Sequence, residues 1–192
     1  MAKRLGLPMA RATMVKRILG YVNEAFLDDD LYNSGMNWYA DANATARAMA
    51  DEFDVAEEIA AYVIAATSPR TFWSFNVKHA RAILAYEDAP SGALGTNHAR
   101  GMAIRDYGIG HIGNGPKVNA FARNIAGDWN EVTIDMWAFR AACGDLAIEK
   151  FLARKGAYET VAEAYRIAAK KFGIAPAQMQ AIVWVAIRGR AD

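Results

Sequence analysis

Apolar residues recur at three- and four-residue spacing over most of the chain, the pattern of helices that each bury one face. A first helix is predicted from about Met9 to Phe26, with Val15, Ile18, Leu19, Val22 and Phe26 on one side, ended by the acidic run Asp28-Asp29-Asp30. A second is predicted from about Met36 to Phe53 and opens on Asn37-Trp38-Tyr39. Asp54-Val55-Ala56-Glu57 has the spacing of a capping box, ahead of an alanine-rich segment carrying Ile59, Ala60, Val63, Ile64 and Ala66, apolar enough for a central buried helix. That segment stops at Thr67-Ser68-Pro69-Arg70-Thr71, where Ser68 can cap and Pro69 can take the first position of a helix running through Trp73, Val77, Ala80, Ile83 and Leu84. A loop at Asp88 to Gly92 precedes a short helix from Thr96 to Tyr107.

Gly108, Gly110, Gly113 and Gly115 then make the chain turn-rich, and spaced glycines expose backbone N–H groups that can hold a phosphate oxygen. Pro116 is favoured at the first position of the next helix, which puts Lys117 in its first turn. Val118, Phe121, Ala122 and Ile125 give that helix a buried face ending near Gly127, roughly 15 Å long at about 1.5 Å per residue. After a turn at Asp128-Trp129-Asn130, the segment to Ile134 can span roughly 20 Å at about 3.3 Å per residue, enough to return Asp135 toward the end that carries Lys117. Trp137, Ala138 and Ala141 continue as a buried helix with Asp135 at its N-terminus, where a carboxylate is favoured. Two more helices are predicted, about Tyr158 to Phe172 and from Pro176 to Arg188-Gly189-Arg190.

The class is therefore all-α. With 192 residues, 54% of them hydrophobic, one domain over 1–192 is expected. A net charge of +1 neither supports nor excludes DNA, so any basic surface must come from local arrangement. The single cysteine, Cys143, excludes an internal disulfide, a cysteine-based zinc site and a four-cysteine iron–sulfur cluster. His79, His98 and His111 fall in no metal-ligand spacing. The stretch Met1 to Leu19 is basic and partly apolar but has no uninterrupted apolar core or small-residue cleavage site, and no segment approaches the roughly 20 apolar residues of a membrane span. An intracellular, reducing compartment without a membrane partner is expected.

Gly113-x-Gly115, Lys117 and Asp135-Met136-Trp137-Ala138-Phe139-Arg140 together resemble the helix-hairpin-helix superfamily of base-excision DNA glycosylases, in which a G-x-G hairpin precedes a helix with the lyase lysine and an aspartate opens D-x-x-x-x-R. The segments Ile64 to Ser68, Asn76 to Ala80 and Trp184 to Gly189 are similar as well, so the likeness covers roughly Val55 to Gly189, with its catalytic part at about 108–140. Three features depart from repair enzymes. Pro69-Arg70-Thr71-Phe72-Trp73 stands where a wedge glutamine is expected, the connection to the hairpin is short, and the iron–sulfur tail is absent. This compact form, with SPRTFW, GPKVNAF, RNIAGD and TIDMWA, is more similar to the glycosylase-related phage enzymes that hypermodify thymine, the α-glutamyl/putrescinyl-thymine pyrophosphorylase or amino acid:DNA transferase group.

That likeness implies a compact helix-hairpin-helix fold and a transferase that displaces pyrophosphate from a pyrophosphorylated 5-hydroxymethyluracil in DNA with an amino acid or polyamine. Lys117, Arg70 and Arg188 are the candidate cations for the leaving group, and Asp135 would bind the incoming ammonium and take its proton. Trp73, Trp38 or Tyr39 would stack on the displaced base, while Gly113, Gly115, Ser68 and Asn76 complete the candidate DNA contacts. The scheme needs no metal or redox cofactor. A glycosylase would use the same pair differently, Lys117 attacking the sugar with help from Asp135 to form a Schiff base. A third reading is a non-catalytic DNA-binding module whose hairpin holds phosphates.

Overall fold

In the computed structural model, which describes residues 7–189 and 191, ten α-helices and no strand are present among the described residues. Arg190 and the first six residues of the N-terminal stretch discussed above lie outside the described residues. The helices are α1 (Arg11–Ala25), α2 (Asp29–Phe53), α3 (Glu57–Thr67), α4 (Trp73–Leu84), α5 (Gly95–Tyr107), α6 (Pro116–Ile125), α7 (Met136–Cys143), α8 (Glu149–Leu152), α9 (Ala157–Phe172) and α10 (Pro176–Arg188). None of them is long and apolar enough to cross a membrane. The chain forms two compact units. One takes the chain through Tyr39 and resumes at Trp129–Ala191, and the other is Ala40–Asp128.

In the first unit, α1 places Met14, Val15, Ile18, Val22 and Ala25 on one buried stripe, packed against α7, α9 and α10. Phe139, Tyr165, Met179 and Ile182 fill the space between them. Gly35, in the first half of α2, lies against α10 so closely that a Cβ there would fall 2.4 Å from Ile182 Cα. The helix α10 ends as expected, with Gly189 in the left-handed conformation after Arg188. At its other end Gln178 accepts from the Ala175 N–H at 3.1 Å, and Pro176 takes the first helical position.

The second unit is organised around α3, in which every residue from Ala60 to Thr67 is buried. Around it lie α4, α5, α6 and a 3-10 turn at Ile109–Ile112. Ile83, Ile104, Ile112, Ala122 and Ile125 close on its apolar surface. Asn43, from the second half of α2, donates to the Ile125 carbonyl at 2.8 Å and so holds the end of α6.

Four local expectations are corrected. The acidic run does not end a helix but starts one: Asp28 Oδ1 accepts from the N–H groups of Asp30 and Leu31, both at 3.1 Å, so α2 opens seven residues earlier than Met36. Trp38 and Tyr39 are consequently mid-helix residues. The capping box at Asp54 is not formed, because Asp54 adopts φ +51 and the Val55 N–H returns to the Ala50 carbonyl, closing α2, while α3 opens at Glu57 without a side-chain cap. Ser68-Pro69-Arg70-Thr71 does not start α4. The Ser68 hydroxyl donates to the Ala65 carbonyl and the Thr71 hydroxyl lies within reach of the Thr67 and Ser68 carbonyls, so these residues finish α3, and α4 begins at Trp73. Arg70 therefore lies ahead of α4 and not in its first turn.

The core of the second unit also contains a titratable pair. His79 on α4 is fully buried, its Nε2 lies 3.1 Å from Nδ1 of His98 on α5, and its own Nδ1 has no partner among the described residues. Burial, and then the neighbouring His98, hold the His79 imidazole below its ordinary value of 6.5. The unfolded chain therefore takes up this proton first, so the stability present above about pH 6.5 is lost as pH falls from there through the lower folded-state midpoint. The expected result is a lower urea midpoint at about pH 5.5 than at about pH 7.5, with the difference reduced in His79→Gln.

Candidate active site

Asp135 is the last residue of an extended segment that the first unit holds at several points. Val132, Thr133 and Ile134 are buried. The Tyr158 hydroxyl, from α9, donates to the Val132 carbonyl and accepts from the Ile134 N–H, each at 3.0 Å. The segment is thus pinned three residues and one residue before Asp135, which then caps α7 as the sequence predicts: Oδ1 accepts from the Ala138 N–H at 2.7 Å. Its other oxygen, Oδ2, accepts from the indole N–H of Trp184 at 3.0 Å. The carboxylate is half-buried.

Three tyrosines surround this position. Burial pushes the phenols of Tyr39, Tyr158 and Tyr165 well above their ordinary value, and the negative charge of Asp135 adds to the rise in each. Their protons are committed elsewhere: Tyr39 donates to Gln180 Oε1 at 2.8 Å, Tyr158 to the Val132 carbonyl, and Tyr165 to the Ala138 carbonyl at 2.8 Å. Tyr39, expected to stack on a base, is only 3% exposed and packs edge-on against Trp38 at 4.9 Å between centroids. Trp38 and Arg188 both pack against Trp184: the Trp38 ring meets it edge-on at 6.1 Å, and the Arg188 guanidinium sits 4.0 Å from its ring centroid. The first unit thus brings Asp135, Trp38, Tyr39 and Arg188 together around Trp184. Trp184, Tyr158, Tyr165 and Gln180 were not named as candidate site residues from the sequence, although Trp184 opens one of the segments that carry the resemblance. A half-buried indole N–H needs an acceptor, which was the available signal, but a partner 49 positions away cannot be read from spacing.

The second unit carries the other candidates. Gly113, Asn114, Gly115 and Pro116 are exposed, with Gly113 at φ +86, and Pro116 is the first residue of α6 as expected. The Asn119 amide donates to the carbonyls of Gly113 at 2.7 Å and Gly115 at 3.0 Å, turning those oxygens inward. The N–H groups of Gly113, Asn114 and Gly115 find no acceptor among the described residues. Lys117 is half-buried in the first turn of α6 and makes no ion pair among the described residues.

At the α3–α4 junction Arg70 is exposed and held at φ +63, next to Phe72, which is 61% exposed, and the half-buried Trp73. Ser68 is half-buried against the end of α3. Asn76 is 2% exposed, with its side chain against the Thr67 hydroxyl, so it braces the junction from inside. Asn97 of α5 donates to the Pro69 carbonyl at 3.0 Å and fixes the same turn from the other side. Lys117 and Asp135 belong to different units, the first to Ala40–Asp128 and the second to Trp129–Ala191.

No curated protein and no solved structure matches this chain. One family model does match, over residues 2–191, and the chain accordingly belongs to the family described as a family of unknown function (DUF7178).

Proposed function

We propose that this protein is a DNA base-modifying transferase that replaces the pyrophosphate of 5-pyrophosphoryloxymethyluracil with an amino acid or amine. The observation that carries the reading is the Asp135 carboxylate, which is fixed at both oxygens and set among tyrosines whose protons are spent on other acceptors. Such a carboxylate is prepared to receive a donor from outside the protein. An incoming ammonium supplies one: Asp135 binds it and removes a proton, the amine nitrogen bonds to the methylene carbon, and the carbon–oxygen bond to pyrophosphate breaks. The leaving diphosphate takes its charge compensation from Lys117, Arg70 and Arg188. The exposed amides at Gly113 to Gly115 are suited to a DNA phosphate, and Trp38 and Trp73 offer aromatic surface to the displaced base.

A base-excision glycosylase with lyase activity is the second reading, favoured by one observation: Lys117 is half-buried and unpaired by any carboxylate among the described residues, as a Schiff-base lysine would be. Borohydride trapping separates the two. The transferase forms no covalent adduct with DNA, so wild-type protein should show none with an abasic or a modified duplex. A trapped complex that disappears in Lys117→Ala would establish the lyase and displace the transferase.

A further inference from the structure

An N-cap aspartate uses one oxygen for its helix and normally leaves the other to solvent. In this protein the second oxygen is taken by a side chain from another helix. Trp184 lies on α10, and its Nε1–H reaches Asp135 Oδ2 at 3.0 Å while the Ala138 N–H holds Oδ1 at 2.7 Å. Two donors on two different oxygens fix the rotation of the carboxylate as well as its position. The indole is itself held. Arg188 covers one face at 4.0 Å, and Trp38 meets it edge-on at 6.1 Å, with the Trp38 N–H donating to the Ala191 carbonyl at 2.9 Å. None of the three neighbouring tyrosine hydroxyls competes for Asp135, because each donates elsewhere.

We propose that Trp184 is a positioning residue for Asp135, its indole N–H setting which edge of the carboxylate faces the incoming amine. The inference rests on the reading of Asp135 as the group that receives the proton of the amine. Trp184 thus acts through Asp135 and does not touch the reacting atoms.

The experiment begins with the hydrogen bond itself. The chain has five tryptophans, so a nitrogen-labelled sample gives five indole N–H cross-peaks, and Trp184→Phe assigns the Trp184 signal by its loss. If that variant does not fold, sequential assignment of the wild-type protein identifies the same signal. The Trp184 indole proton should stand downfield of an unbonded indole N–H and lose that displacement in Asp135→Ala. A Trp184 signal that is unchanged in Asp135→Ala overturns the proposal. In turnover, Trp184→Phe should lower kcat on the order of tenfold with KM unchanged. An unaltered kcat also overturns it. A displaced indole signal in a protein that turns over no modified DNA would refute the transferase reading while supporting the Trp184 arrangement.

Discussion

Replacing Asp135 with asparagine is expected to abolish turnover while leaving the fold in place. Asparagine caps a helix about as well as aspartate, so its one acceptor oxygen can keep the bond to the Ala138 N–H. The amide nitrogen then faces the Trp184 N–H, which loses its acceptor, and the structural cost is about 1 kcal/mol for this half-buried donor. The catalytic cost is of another size. A neutral amide cannot accept a proton, and loss of a general base costs typically 100- to 10,000-fold in rate, or roughly 3–5 kcal/mol of barrier. Thermal melting and turnover measured on the same preparation check this. A melting temperature within a few degrees of wild type together with a rate fall of at least about 100-fold is the expected result. Retained turnover would leave Asp135 as a helix cap and nothing more.

The second large effect concerns packing. Gly35→Ala should destabilise the first unit by about 2–3 kcal/mol, toward the upper part of the usual range for overpacking. A Cβ at Gly35 would stand 2.4 Å from Ile182 Cα and 2.9 Å from its backbone nitrogen and Cγ1. Relief by rotating the Ile182 side chain is insufficient, because the nearest atom belongs to the α10 backbone, so α2 and α10 must separate. Helix propensity works the other way, alanine being better than glycine by about 1 kcal/mol, which makes the sign of the result informative. A lowered denaturant midpoint supports the close approach of the helices, whereas a stabilised variant would show that they do not touch there. The same separation would move Trp184, two positions beyond Ile182, away from Asp135, so turnover should fall along with stability.

Helix positions were legible in the sequence where an apolar stripe and a single-valued end signal coincide. Pro116 and Pro176 begin helices because proline fits the first position, and Gly189 ends one because it takes a positive φ at no steric cost. Asp135 was readable as a cap for the same kind of reason. The errors fell on side chains that can serve either end of a helix. Asp28 accepts from the helix that follows it, Asp54 closes the helix before it by a left-handed turn, and the hydroxyls of Ser68 and Thr71 reach back to carbonyls of α3. Local sequence offers both partners at similar distance, and tertiary packing chooses. Of what surrounds Asp135, Trp38, Tyr39 and Arg188 were named from the sequence, whereas the contacts of Trp184, Tyr158 and Tyr165 were not legible, since these come from helices that only the folded first unit brings to it. The division of the chain at Tyr39 and Trp129 has no composition signal, because one boundary falls inside the continuous helix α2.

The measurement that tests the account most directly is the mass of an oligonucleotide carrying pyrophosphorylated 5-hydroxymethyluracil after incubation with the protein and a mixture of amino acids and polyamines. Loss of pyrophosphate with gain of one amine in wild type, and neither in Asp135→Asn, is the predicted result, and the added mass identifies the donor. Loss of the whole base or strand cleavage would contradict the transferase and assign Lys117 to a lyase. An unchanged oligonucleotide that the protein nevertheless binds would contradict both enzymes and leave a DNA-binding module.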